Sequence, residues 1–324
     1  MRAKTPLTLL GLAAIAVALS PALARAQACC TATGTSGFGV VGRCHFAVLA
    51  AQLSYERGHG SFDANGDYHP LSHAEVDDVV LSLAGGIRLG TPKLQVYGSI
   101  PLRLQYRDLE GLSSDSAVGP GDASLALRAM ALEDLVTGIQ WSDARSFLPF
   151  VEPYVGGRAP TGKGPTESDR PSGVDATGDG TWTAFAGVSV TKFVTLSDAV
   201  VLDGSYGYRF EHDVSSPSGG SRRYSPGNEI RGRLALVHVV NLFWSGSVFA
   251  SAIASTNARQ DGNTIPNSGT RRVRVGASVQ YYVAYPYWEV GASVSADPPV
   301  SGLGKNIPFA GANASLMLQR NFTW

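Results

Sequence analysis

The sequence predicts an all-β chain: a transmembrane, antiparallel up-and-down β-barrel of about 12 strands. Three observations predict it. The final stretch alternates, with Leu316, Leu318, Phe322 and Trp324 on one parity and Ser315, Met317, Gln319, Asn321 and Thr323 on the other. Such a strand suits one face in lipid and the other in water. Composition agrees: charged residues make up only 16% and glycines number 38, whereas a soluble domain carries about 25% charge. Lastly, strand-like stretches are separated by connections that alternate between long and short, as in a membrane meander with long loops on one side and short turns on the other.

Residues 1–26 read as a secretory signal. Arg2 and Lys4 open it, 7–19 is mostly apolar, Pro21 breaks the run, and Ala24-Arg25-Ala26 forms a cleavage site. The apolar run is too short to span a bilayer as a helix, and no later run of about twenty apolar residues follows. The expected organisation is a cleaved signal over 1–26, a short Cys-containing periplasmic segment over 27–44, and a barrel over 45–324. Cys29, Cys30 and Cys44 all follow the cleavage site. An oxidising periplasm permits a disulfide from Cys29 or Cys30 to Cys44, which leaves one cysteine unplaced. A soft metal such as copper at Cys29-Cys30 is the second reading.

Strands are expected near 45–57, 75–89, 93–107, 121–133, 147–160, 181–193, 199–212, 228–240, 242–255, 271–284, 287–297 and 308–323. Each matches or slightly exceeds the length that a tilted membrane strand needs. Long loops rich in Gly, Ser and Asp fall at 58–74, 108–120, 161–180, 213–227, 256–270 and 298–307. Short links fall at 90–92, 194–198, 241 and 285–286. The link 134–146 is longer and is expected to hold a helical turn. That region and the turn at 241 leave ten or fourteen strands as the alternatives. An even count puts both termini in the periplasm.

Alternation assigns the faces. In 94–107, Leu94, Val96, Ile100, Leu102 and Leu104 oppose Gln95, Ser99, Arg103, Gln105 and Arg107. In 271–283, Val273, Val275, Val279 and Val283 oppose Arg272, Arg274, Ser278 and Gln280. An Arg or Lys facing lipid near the midplane costs about 2–4 kcal/mol, so the charged parity faces the lumen. Gly85, Gly98, Gly187 and Gly291 fit close backbone approach and curvature. Aromatics near strand ends, among them Tyr55, Trp182, Trp244, Tyr285, Tyr287 and Trp288, suit interfacial girdles. Arg320 lies on the lipid parity, close enough to the strand end to snorkel.

The pore-lining candidates are Arg88, Arg103, Arg107, Arg128, Arg158, Arg209, Arg231, Arg233, Arg272 and Arg274, with Glu152, Asp203, Glu211, Glu229 and Glu289. Glu56 joins the acidic set. The balance is positive inside a chain whose net charge is zero. Arginines ringing a narrow pore favour anions. The competing reading is that these charges pair across the lumen and brace the wall, because small barrels often fill their interiors.

The C-terminal pattern resembles the insertion signal of bacterial outer-membrane β-barrels, carried by Leu316, Leu318, Phe322 and Trp324. A second resemblance lies at Val118-Gly119-Pro120-Gly121-Asp122-Ala123-Ser124-Leu125-Ala126-Leu127-Arg128. A Gly-x-Gly-Asp opening a strand that soon ends in a basic residue is similar to the outer-membrane family named for phenol meta-cleavage operons. That resemblance implies uptake of small hydrophobic or aromatic molecules. Physically, Gly119 and Gly121 permit a tight return into the sheet, and Asp122 can cap the turn.

The expected role is therefore passive passage of small solutes across the outer membrane of a Gram-negative bacterium, with an anion-leaning variant. Outer-membrane lipids and the insertion machinery are the expected partners. No cofactor is expected, and zero net charge with no basic run gives no reason to expect nucleic acid. The alternative role is a non-conducting anchor or adhesion barrel that works through its loops. A lipid-modifying enzyme comes third: His238 lies on the lipid parity, but Ser245 and Ser247 on the next strand lie on the lumen parity. His59, His69 and His73 with Asp63, Asp67 and Glu75 match no metal spacing. Asp169, Asp175 and Asp179 in 161–180 lack an EF-hand pattern.

Overall fold

The computed structural model describes residues 38–323, apart from 73, 92, 135–137 and 216–220. The expected signal over 1–26, Cys29, Cys30, His73 and Trp324 lie outside the described residues. Twelve wall strands close into one antiparallel barrel. They are β1 (Ala47–Phe62), β2 (Glu75–Arg88), β3 (Leu94–Asp108), β4 (Ala123–Ala129), β5 (Phe150–Ala159), β6 (Thr183–Phe193), β7 (Asp198–Arg209), β8 (Glu229–Val239), β9 (Trp244–Ser255), β10 (Arg271–Ala284), β11 (Trp288–Ala296) and β12 (Ile307–Phe322). Each pairs with its sequence neighbours, and β12 closes on β1 from Ala47↔Phe322 to Gly58↔Gly311. Closure leaves the wall with no first or last strand standing free, a requirement for a sheet in hydrocarbon.

The outer face is apolar. Leu49, Leu83, Ile100, Leu125, Leu202, Leu236, Val248, Val294 and Leu316 are all exposed. In water such a surface would be unfavourable; in a bilayer it is solvated by acyl chains. The end that holds the short turns is periplasmic in a barrel of this type. There Trp244, Tyr285, Tyr287 and Trp288 stand exposed. Arg320 lies among them, its guanidinium 5.2 Å from the Tyr287 ring centre, 5.1 Å from Trp288 and 5.6 Å from Phe322. Its charge is thus held in the aromatic belt.

Three features depart from the expected strand plan. The expected long loop 108–120 is largely sheet, because Asp115–Pro120 already pairs with β3. Between Leu102↔Pro120 and Ser99↔Ser124, two residues of β3 face three of the opposing strand. The extra residue is a bulge at Gly121-Asp122, beside Pro101, which offers the ladder no N–H. Parity flips there: Val118 is exposed before it and Leu125 after it. Further departures are the small outer sheet formed by His212–Ser215, Ser221–Ser225, Arg259–Gln260 and Asn263–Thr264 in two of the long loops, and Tyr68–Pro70, which pairs back onto β1. The link 134–146, by contrast, ends in the expected helical turn, a 3-10 turn at Ala144–Phe147.

Candidate functional site

The lumen is where the polar parity converges. Near the extracellular mouth, Asp179 lies 2.5 Å from Arg158 and 3.4 Å from Arg209. Glu229 takes Arg209 at 2.6 Å, Arg158 at 3.5 Å, and Arg231 as well. A second cluster spans β1 and β10: Glu56 and Asp297 are both shared by Arg272 and Arg274, with Arg272 2.5 Å from each carboxylate and Arg274 2.8 and 3.2 Å away. Asp297 also accepts the Gly311 N–H at 2.8 Å. Arg107 meets Asp78 at 2.7 Å. Asp203 accepts the Tyr154 hydroxyl at 2.9 Å. Glu289 is buried against Tyr282 and Asn321.

At the periplasmic end the chain turns inward. Residues 38–46 run along the inner faces of β2 and β3. Gly39, in the left-handed region at φ +80°, lies so close to the wall that a Cβ there would sit 2.7 Å from that of Ala84. The Val41 N–H donates to the Gln95 side chain at 2.8 Å. Arg88 donates to the carbonyls of His45 at 2.8 Å and Gly42 at 3.1 Å. Arg43 lies over the Phe150 ring at 3.6 Å and meets Glu152 at 3.5 Å; Arg128 reaches Glu152 at 3.9 Å. Val41 and His45 are buried. Cys44 is disulfide-bonded. The other two cysteines of the sequence, Cys29 and Cys30, precede the described residues.

The mouth is narrowed by 161–180, which folds against the inner wall. Asp122 accepts N–H bonds from Gly162 at 3.1 Å and Asp179 at 2.6 Å. Gln105 donates to the Ala176 carbonyl at 3.0 Å. Glycine makes this contact surface: a Cβ at Gly178 would fall 2.2 Å from Asp122 Oδ1, and one at Gly119 3.0 Å from Thr177. The expected turn-capping role of Asp122 is thus replaced by a long-range clasp. Within the loop, Lys163 takes Asp169 at 2.5 Å and Asp175 at 2.7 Å. The acidic residues weighed for calcium are therefore neutralised by the chain's own cations.

Among the described residues the lumen keeps open space. One cavity of about 410 Å³ is lined by Arg103, Tyr154, Phe185 and Arg231 together with loop residues 177–179. Another, of about 380 Å³, shares Arg103 and adds Glu56, Asp78, Arg272 and Phe309. A further one, about 270 Å³, lies by Phe38, Arg233, Phe249 and Met317. Among the described residues no carboxylate pairs with Arg103, whereas Arg233 stands opposite Asp203 on the neighbouring strand. The Arg103 Nε is buried without a hydrogen-bond partner, and Arg233 lies over the Phe249 ring at 4.4 Å.

One candidate falls outside the lumen. Glu211 lies past the end of β7, exposed and 3.7 Å from Arg223 of the outer hairpin. The strand has left the wall there, so parity no longer points inward. The remaining lining candidates have the places given above. Sequence reasoning missed Asp78, Asp297, Arg43 and the lumen rings Tyr154, Phe185 and Phe249. Parity alone could have found the rings, since Tyr154 shares its strand face with Glu152 and Arg158. Arg43 carries no such signal, because it precedes the first strand.

His238 is held by Asp198 at 2.7 Å. Ser245 and Ser247 bond instead to Gln280 at 3.2 Å and Ser278 at 2.7 Å on the inner face. The pair weighed for catalysis is therefore not brought together. His59 Nδ1 meets the Tyr68 hydroxyl at 3.0 Å and His69 meets Asp63 at 3.3 Å. Among the described residues no group of three His, Cys, Asp or Glu side chains could hold a metal.

A closed twelve-stranded wall with an apolar belt and a charged lumen defines an outer-membrane-type β-barrel. Residues 57–296 match the family described as "Putative MetA-pathway of phenol degradation", and the chain belongs to that family. The fold is similar to the crystal structure of the COG4313 outer membrane channel from Pseudomonas putida F1, with 14% identity and a TM-score of 0.67 over 86% of this chain and 96% of that one. Weaker likenesses include the NanC porin, at 10% identity and TM-score 0.44 over 85% and 100% of the two chains. Another is the CymD monoaromatic hydrocarbon channel, at 8% and 0.40 over 86% and 89%. No curated protein sequence matches the chain.

Proposed function

We propose that the protein is a passive channel for small solutes in the outer membrane of a Gram-negative bacterium. The observation that carries this reading is the unfilled lumen: cavities of about 410 and 380 Å³ meet at Arg103 inside a closed wall. Family membership supports it. No covalent step is required. The paired charges brace the wall, and Arg103 supplies the uncompensated positive charge that biases passage toward anions. Residues 1–26 act as the export signal, and the C-terminal strand engages the insertion machinery.

A second reading, a non-conducting anchor, is favoured by the inward segment 38–46 and by the outer sheet above the mouth. Refolding the mature chain and recording single-channel current across a planar bilayer under a salt gradient separates the two. Steady conductance with an anion-leaning reversal potential, weakened in Arg103→Gln, is the expected result. Silence from a verifiably folded barrel would replace the channel with the anchor.

A further inference from the structure

We propose that the 410 Å³ cavity is a binding subsite for small aromatic carboxylates, anchored by Arg103. The cavity lies within the roughly 300–1,000 Å³ range of small-molecule sites. Its charges are unevenly matched. Arg158 and Arg231 are occupied by Asp179 and Glu229. Asp122 is occupied by two backbone N–H groups of the loop. Arg103 alone lines the cavity with a guanidinium that no carboxylate of the described residues engages. A half-buried guanidinium of this kind gains from an incoming anion, and its planar fork matches a carboxylate with two parallel hydrogen bonds.

The wall two and three strands further on, at β5 and β6, supplies the aromatic half of the specificity. Tyr154 and Phe185 both line the cavity, with ring centres 6.4 Å apart. Each faces a glycine on the neighbouring strand, Tyr154↔Gly187 and Gly156↔Phe185. A Cβ at Gly187 would fall 2.5 Å from the Tyr154 ring, and one at Gly156 2.6 Å from Phe185. The glycines let both rings settle against the neighbouring backbone, tilted 65° to one another. A planar ligand can lie on the Phe185 ring with its carboxylate directed to Arg103, and edge-to-face contact with Tyr154 adds to the burial. Ser99 and Ser124, with hydroxyls 2.9 Å apart, border the same space and can donate to a second carboxylate oxygen.

The proposal rests on the passage reading for ligand access, so its test measures binding separately from flow. Benzoate is titrated calorimetrically into the refolded full-length barrel in detergent, with acetate, toluene and benzylamine as controls. Benzoate is expected to bind at least about tenfold more tightly than acetate or toluene, and benzylamine not at all. Arg103→Gln should weaken benzoate by about tenfold or more and Arg103→Lys by less, while Phe185→Leu weakens benzoate but not acetate. Equal affinity for benzoate and acetate in the wild-type barrel would overturn the subsite without recourse to any variant. Chloride conductance of the same preparation separates the two readings. A barrel that conducts but ignores benzoate ends the subsite and keeps the channel. One that binds benzoate yet stays silent ends the channel and keeps the subsite.

Discussion

Asp122 illustrates how a single side chain joins sequence motif to architecture. It sits at a bulge that turns it inward, and its carboxylate holds two N–H groups from a loop 40 and 57 residues further on. Hydrogen bonds to a charged group contribute about 1.5–3 kcal/mol each. Asp122→Ala should therefore release 161–180, and trypsin should cut faster after Lys163, which Gly164 follows, while the strands stay resistant. Unchanged cleavage would show that the ion pairs of Asp179 hold the loop alone. Gly178→Ala should have the same effect through steric conflict, since its Cβ would overlap the Asp122 carboxylate.

The loop and the inward N-terminal segment act as elements on the two ends of the lumen. In the loop, burial works to raise the Asp175 carboxyl, but hydrogen bonds from Lys163, Ser168 and the Asp169 N–H outweigh it and hold it well below the ordinary carboxylate value. Lys163 is raised by Asp169 and Asp175. A depressed carboxylate contributes fully above its unfolded value of 3.8 and is lost only as pH falls through its folded one. A raised lysine contributes fully below 10.5 and is lost only as pH rises through its higher folded value. The clasp should hold constant between those limits, and loop proteolysis followed across that window should be flat. At the other end, Cys44→Ser removes the disulfide tether of the inward segment. Single-channel recordings should then show larger or more frequent openings, unless the bonds of Arg88 and Gln95 suffice to hold it.

At the scale of the whole molecule, the wall is a two-solvent surface. Ile100 is 63% exposed on the outer face near the middle of β3, so Ile100→Arg should destabilise the inserted barrel by about 2–4 kcal/mol in urea unfolding from lipid vesicles. A lipid-soluble thiol reagent should label Val275→Cys, whose native residue is 46% exposed, and spare Arg274→Cys on the inner face. The reverse pattern would place the strand one residue out of register and exchange its faces.

The chain's local chemistry determined the barrel. Period-two alternation, scarce charge and alternating connection lengths are one-dimensional signals, and the two solvents of a membrane protein write them into every strand. They placed the strands and the inward arginines. Tertiary structure decided what fills the tube. The bulge at Gly121-Asp122 breaks parity, so the inward aim of Asp122 depends on a pairing that no local window contains. The inward course of 38–46, the sharing of Glu56 and Asp297 by two arginines, and the isolation of Arg103 are likewise set by residues far apart in sequence. Which charges are paired and which stay free is a property of distances across the lumen, and only closure of the barrel fixes those.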